Sequence, residues 1–297
     1  MSERHDTMEK YLPTNDLLFN KLLTSEDSPH ILKAFVKDLL GLEFMTLKPK
    51  VPYHIDTYKK NYDELTLRMT EVDILATADD GSCTTIECQI QKHKCFNERT
   101  LFYLAETYCS PFGNTKTVEF IENNNFTSPQ PVYGINVVDF DLFDREKAAL
   151  RIFRLLDEQT HEPFISQENK QLLMLCFLSL TNKNIKETSA ARHWQHFLKT
   201  GEVTPDAPDY LKEAKRKIDF YSLKVDEQRM IMNINKTEAI RNAELSTARD
   251  EGIEQGFRKE KCTIARKMLT ANLSFEQITE FTGLGIDEIK KLRDEQK

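Results

Sequence analysis

Two alternating runs flanking Asp79-Asp80-Gly81 constrain this chain more than any other feature. Side chains on a strand alternate between faces. In the run Arg68 to Ala78, Val72, Ile74 and Ala76 share one face, with Glu71 and Asp73 on the other. In the run Cys83 to Gln91, Ile86, Cys88 and Ile90 share one face, with Glu87 and Gln89 on the other. The turn length decides whether the polar faces coincide. A two-residue Asp80-Gly81 loop sets Ile74 opposite Glu87 and mixes apolar with charged groups. A three-residue loop, Asp79-Asp80-Gly81, sets Asp73 opposite Glu87, Glu71 opposite Gln89 and Ile74 opposite Ile86. Such loops end on a left-handed residue, a conformation glycine adopts without strain, so Gly81 selects the three-residue register.

That register brings like charges together. Directly opposed side chains have Cβ atoms about 4.5–5.5 Å apart, and opposed like charges destabilise a sheet. Glu71, Asp73 and Glu87 repel one another unless one is protonated or a cation lies between them. A divalent ion with oxygen ligands relieves the repulsion, and such an ion also activates water and neutralises charge on a phosphoryl group. The plainer reading is a solvated acidic face on an ordinary hairpin.

The 297 residues give ample chain for a core, in one large or two ordinary domains. Eighteen Phe and nine Tyr argue against disorder. No apolar run approaches the roughly 20 residues of a membrane span, and the N-terminus has no apolar segment to act as a signal. A soluble, cytoplasmic protein with reduced cysteines is expected. The net charge of −7 weakens any claim of broad, non-specific nucleic-acid binding but leaves room for a local basic groove.

Residues 14–41 read as two helices, the first capped by Thr14 or Asn15, the second opened by Ser28-Pro29 and stopped by Gly41. Residues 48–78 read as extended, residues 97–110 as an amphipathic helix, and Val132 to Phe140 as a strand. The expected organisation is an α/β core, a mixed sheet flanked by helices, over residues 1–145. A helical extension over 146–232 follows, with the run Gln171 to Leu180 its most apolar part. Residues 233–262 form a charged helix or linker, and 263–297 a small helical, helix-turn-helix-like tail.

The order of these motifs resembles the PD-(D/E)XK nucleases, and more closely the Rpn family of recombination-promoting nucleases and transposases. The matching segments are Asp16-Leu-Leu-Phe19-Asn-Lys21, Asp73-Ile74, Ile86-Glu87-Cys88-Gln89, Arg99-Thr-Leu-Phe102-Tyr103 and Asp139-Phe-Asp-Leu-Phe143. Glu251-Gly-Ile-Glu-Gln-Gly256 and Leu273 to Leu292 match the charged helix and terminal hairpin. The resemblance implies a restriction-endonuclease-like core and metal-dependent cleavage of DNA phosphodiesters with Mg²⁺ or Mn²⁺. It makes Asp73 and Glu87 metal ligands, with the Cys88 carbonyl and Asp16 as further donors. Asp16 reads equally as a charge favouring its helix dipole. Gln89 stands where the superfamily has Lys; it can orient water but supplies no positive charge.

Arg99 and Tyr103, four apart on one helix face, could contact DNA phosphates with Lys92, His93 and Lys94, or form an ordinary polar face. A zinc site from Cys88, His93 and Cys95 matches no standard spacing, and no Cys–His dyad is apparent. The rival to an endonuclease is a nuclease-like module that binds DNA or protein with little cleavage. The tail carries Ile264, Ala265, Met268 and Leu269, a capping-box signal at Ser274 and Gln277, then Ile278, Phe281, Ile289 and Leu292. It reads as a packing element, able to hold a homo-oligomer together, more readily than as a DNA reader.

Overall fold

The computed structural model describes residues 11–295 except 57, 60–72, 93, 111–129 and 167. Glu71, Val72 and His93 therefore lie outside the described residues. The chain divides into two compact units, residues 1–234 and 235–297.

The first unit opens on α1 (Asp16–Thr24) and α2 (Pro29–Leu40). The Asn15 side chain accepts from the amides of Leu17 and Leu18 at the start of α1. Gly41, at φ 72°, closes α2 with its amide on the Lys37 carbonyl. The buried faces of both helices, including Leu18, Phe19, Leu32 and Phe35, join one core. Each such side chain contributes about 1.5–3 kcal/mol by leaving water.

Six strands form one mixed sheet: β1 (Leu47–Pro49), β2 (Ile74–Ala78), β3 (Cys83–Gln89), β4 (Val132–Val138), β5 (Leu150–Arg154) and β6 (Leu173–Ser179). Their spatial order is β1-β2-β3-β4-β6-β5. Strands β3, β4 and β6 run parallel, and the outer pairings are antiparallel. This is the α/β class with a mixed sheet that the sequence implies. The hairpin register is the three-residue one. Ile74 pairs with Ile86 and Thr77 with Cys83, the Ala78 amide bonds the Ser82 carbonyl, and Gly81 takes φ +81°.

Helix α3 (Phe96–Cys109) connects β3 towards β4 and packs Phe96 against Val138 and Phe177 on one sheet face. The opposite face buries Ile74, Ile86, Ile135 and Cys176 with α1, α2 and Trp194. Trp194 belongs to α4 (Ala191–Thr200), which α5 (Asp209–Lys217) follows.

Two sequence expectations need correcting. The run Gln171 to Leu180 is not helical: it holds β6, between β4 and β5 in the sheet. Residues after 145 thus supply two strands, and the segment 146–232 is not a purely helical extension. A parallel strand covered on both faces reads as a continuous apolar run, without the alternation that marks a half-exposed strand.

Helix α6 (Val225–Thr270) begins in the first unit and continues into the second. The second unit adds α7 (Phe275–Thr282) and α8 (Ile286–Asp294), with Ala265, Ile278, Leu284, Ile289 and Leu292 at its core. The Ser274–Gln277 capping box is formed and Gly283 ends α7. Ile278 is buried, whereas Phe281 stands exposed. No helix among the described residues is long and apolar enough to cross a membrane.

Candidate metal and phosphate site

The site builds outward from the β2–β3 pair. Asp73 immediately precedes β2, one residue beyond the Ile74–Ile86 pair, so the register carries it opposite Glu87. Its Oδ2 accepts a 2.8 Å hydrogen bond from the Cys88 backbone amide. The Cys88 side chain lies buried in the opposite, apolar face. Glu87 is buried at 6 % exposure, which strands a carboxylate in the sheet interior.

Electrostatics bind these groups into one cluster. Asp73 is pushed up to about 8, chiefly by loss of hydration, then by the charge of Asp16. Glu87 adds to the rise, while the Cys88 amide and Arg99 oppose it. Asp16 is pushed up to about 6 by loss of hydration. Both aspartates keep an accessible face, yet protein crowds their carboxyl groups on the remaining sides. Glu87 is also raised, because burial outweighs the attraction of Arg99. A carboxylate that has lost hydration and is crowded by other carboxylates, as Asp73 is, favours uptake of either a proton or a cation.

Arg99 enters from α3. Its Nη2 donates to Gln89 Oε1 at 2.7 Å and lies 3.4 Å from Glu87 Oε2. The guanidinium carbon sits 5.4 Å from the Phe96 ring centre and 5.8 Å from that of Tyr103, both residues of α3. Its Nε is buried without a hydrogen bond. Tyr103 is buried beside it, its hydroxyl pKa raised mainly by loss of hydration.

The structure thus brings together Asp16, Asp73, Glu87, Gln89, the Cys88 backbone, Arg99 and Tyr103. Lys92 and Lys94 lie exposed on the segment between β3 and α3, and Lys92 acts on Asp141 through its charge. Lys21, from the first motif, turns elsewhere: its Nζ donates to Glu227 Oε1 at 2.6 Å. Asn136 escaped sequence reasoning. It pairs with Glu87 across β3 and β4, is buried at 4 % exposure, and donates to the Cys176 carbonyl at 3.2 Å. Its only signal was one amide within an otherwise apolar strand.

Among the described residues, no three His, Cys, Asp or Glu side chains converge closely enough to hold a metal ion by themselves. The neighbouring donors are nonetheless all oxygen, from carboxylates and backbone carbonyls, a set suited to Mg²⁺ or Mn²⁺ rather than to a soft metal. Loss of hydration lifts Asp73 first and the charges of Asp16 and Glu87 add to it; a divalent cation offsets both costs, so the oxygen donors present fit such an ion. The site lies towards the carboxyl end of parallel strand β3, where open α/β sheets place their ligands.

No curated protein and no solved structure matches the chain. A family model described as "PD-(D/E)XK nuclease family transposase" matches residues 13–250. That span takes in the paired acidic strands, the Arg99 helix and the whole sheet, and the chain belongs to the PD-(D/E)XK nuclease family transposases.

Proposed function

We propose that this protein hydrolyses DNA phosphodiester bonds as a divalent-metal-dependent endonuclease. The observation that carries the proposal is the closeness of three carboxylates: Asp73, immediately before β2 and bonded by the Cys88 amide of β3, has its pKa raised by loss of hydration and then by the charges of both Asp16 and Glu87. Asp73 and Glu87 would hold the ion, Mg²⁺ or Mn²⁺, with Asp16 and the Cys88 carbonyl as further oxygen donors. Bound there, such an ion supplies a more acidic water and offsets charge on the phosphate. In the reaction, water oxygen bonds to phosphorus, the bond to one sugar oxygen breaks, and that oxygen takes up a proton.

The chain's own groups prepare this step. The Cys88 amide fixes the Asp73 carboxylate. Burial of Glu87 lowers the local dielectric response, which strengthens every charge interaction there. Lys92 and Lys94, exposed beside the site, with the partly accessible Arg99 of α3, form the DNA-facing group; Tyr103, expected from the sequence to join them, is buried and instead backs Arg99. The C-terminal helices act as a packing element that supports a homo-oligomer.

Nicking of supercoiled plasmid in Mg²⁺, Mn²⁺ or EDTA tests the reading. Cleavage that requires the metal and disappears in Asp73→Ala supports it; cleavage by Asp73→Ala in Mg²⁺ at the wild-type rate places the site elsewhere. One observation favours a second reading, a binding module with little cleavage: the Gln89 carboxamide oxygen is already engaged by Arg99. Titration calorimetry with Mg²⁺ on wild type and Asp73→Ala separates the two, because only the metal-dependent enzyme loses heat of binding with Asp73.

A further inference from the structure

We propose that Arg99 is the cationic group of the site and that Gln89 acts through it, as the residue that positions its guanidinium. The inference rests on the endonuclease reading above and assigns roles within that site. Phosphoryl transfer gains from a positive charge fixed where negative charge develops. Gln89 carries none, and the residues on β3 supply none. Arg99 brings one from a different element and delivers it to the same place, with Nη2 at 2.7 Å from Gln89 Oε1 and 3.4 Å from Glu87 Oε2.

Three features hold that guanidinium. Gln89 accepts from it with a neutral oxygen, so this contact orients the cation without adding a second anionic partner to Glu87. A Glu at 89 would neutralise it, and a Lys would repel it. The rings of Phe96 and Tyr103, at 5.4 and 5.8 Å from the guanidinium carbon, restrict its path. Residues 96, 99 and 103 recur on one helical face, so α3 itself sets this arrangement.

The protein leaves the guanidinium incompletely satisfied. Arginine presents five N–H donors in a planar fork. Nη2 serves both Gln89 and Glu87, Nε is buried without a hydrogen bond and so closed to an incoming group, and 31 % of the Arg99 side chain remains accessible. A phosphate oxygen is the acceptor that this geometry and charge suit. Arginine keeps its protons throughout, so its contribution is electrostatic: the entering water loses its proton to solvent and the departing sugar oxygen regains one, with none taken from Arg99.

The test uses the full chain and a duplex oligonucleotide in Mg²⁺, with kcat and KM measured for each variant. Arg99→Ala is expected to lower kcat by about 100-fold, the usual scale for removing one transition-state contact, with KM nearly unchanged. Gln89→Ala is expected to lower kcat as well, and Arg99→Ala/Gln89→Ala to be no worse than Arg99→Ala. Arg99→Ala/Gln89→Lys is expected to recover at least about tenfold over Arg99→Ala, because the charge returns from the strand. Arg99→Met keeps the apolar stem and is judged by the same criteria should Arg99→Ala fail to fold. An unchanged kcat in Arg99→Ala, a loss confined to KM, losses that multiply in the Ala/Ala double variant, or no recovery with Gln89→Lys each overturns the proposal. Wild-type protein that never cleaves in any metal overturns the endonuclease reading itself, an outcome distinct from all four.

Discussion

The Asp73 carboxylate is held by the backbone amide of Cys88, at 2.8 Å, so the first acidic residue of the site is positioned by the strand that carries the second. An amide side chain at 73 preserves an acceptor for that bond while removing the charge. Asp73→Asn is therefore expected to abolish metal-dependent nicking and to leave the fold intact. In metal-free buffer it should melt no lower than wild type, because it removes a carboxylate repelled by Asp16 and Glu87. Nicking assays and thermal melts on the same preparation check both halves.

Stability and metal binding should depend on pH together. Asp16 and Asp73 have folded-state pKa values of about 6 and about 8, both above the 3.8 of an unperturbed Asp. Between those limits the folded chain binds more protons than the unfolded chain, so stability falls as pH rises. The metal-free protein is expected to lose stability from pH 4 towards pH 8 through these two groups. Mg²⁺ competes with the same protons, so its stabilising effect should grow over that interval. At 100-fold excess over its dissociation constant the metal contributes about 2.7 kcal/mol. Urea titrations at pH 5.5 and 8.5, with Mg²⁺ and with EDTA, measure this; an equal Mg²⁺ effect at both values would refute the linkage.

Glu227 behaves in the opposite sense. It is buried at 3 % exposure and accepts from Lys21 Nζ at 2.6 Å, Tyr53 hydroxyl at 2.7 Å and the Lys224 amide at 3.0 Å. Burial raises its pKa, but these donors outweigh burial and lower it overall. Its stabilisation is present above the unfolded-state pKa and is lost as pH falls through the folded-state value. Glu227→Ala leaves the Lys21 ammonium unpaired in a mostly buried setting and is expected to cost about 3–5 kcal/mol. Denaturant unfolding at pH 7 reads that loss, and the difference between wild type and variant should shrink in acid.

Gly81 holds the hairpin loop at φ +81°. An L-residue there costs about 1–2 kcal/mol from its left-handed backbone. A Cβ would also come within 3.2 Å of Gln130 Cγ. Gly81→Ala should therefore destabilise the protein by at least that amount. It should also reduce nicking, because the loop sets the register that aligns Asp73 with Glu87. Chemical denaturation and a nicking assay together test the dual effect.

Legibility from sequence followed the range of the interactions. The β2–β3 register was readable because Gly81 and the alternating pattern lie within a few residues of each other. The caps at Asn15, Gly41 and Ser274 were readable for the same reason, since each bonds its own helix end. Strand β6 was misread because burial on both faces erases alternation. The acidic pair could be placed from the hairpin alone. The bond from Arg99 to Gln89 could not, since it depends on where α3 lies against the sheet. The pairing of Lys21 with Glu227 joins residues 206 positions apart, and no local pattern announces it.

The place of β6 also sets an order of events during synthesis. Strand β4 is buried along its whole length, with β3 on one side and β6 on the other. While the ribosome has released residue 138 but not residue 179, β4 has no partner along that second edge. Such an edge is a template for pairing with other chains, and exposed partial sheets are where aggregation begins. Emergence of Leu173 to Ser179 closes that edge, and the strand carrying Glu87 then gains a neighbour paired on both sides. A nascent chain stalled before that point has its hairpin acids in register but an incomplete sheet beneath them.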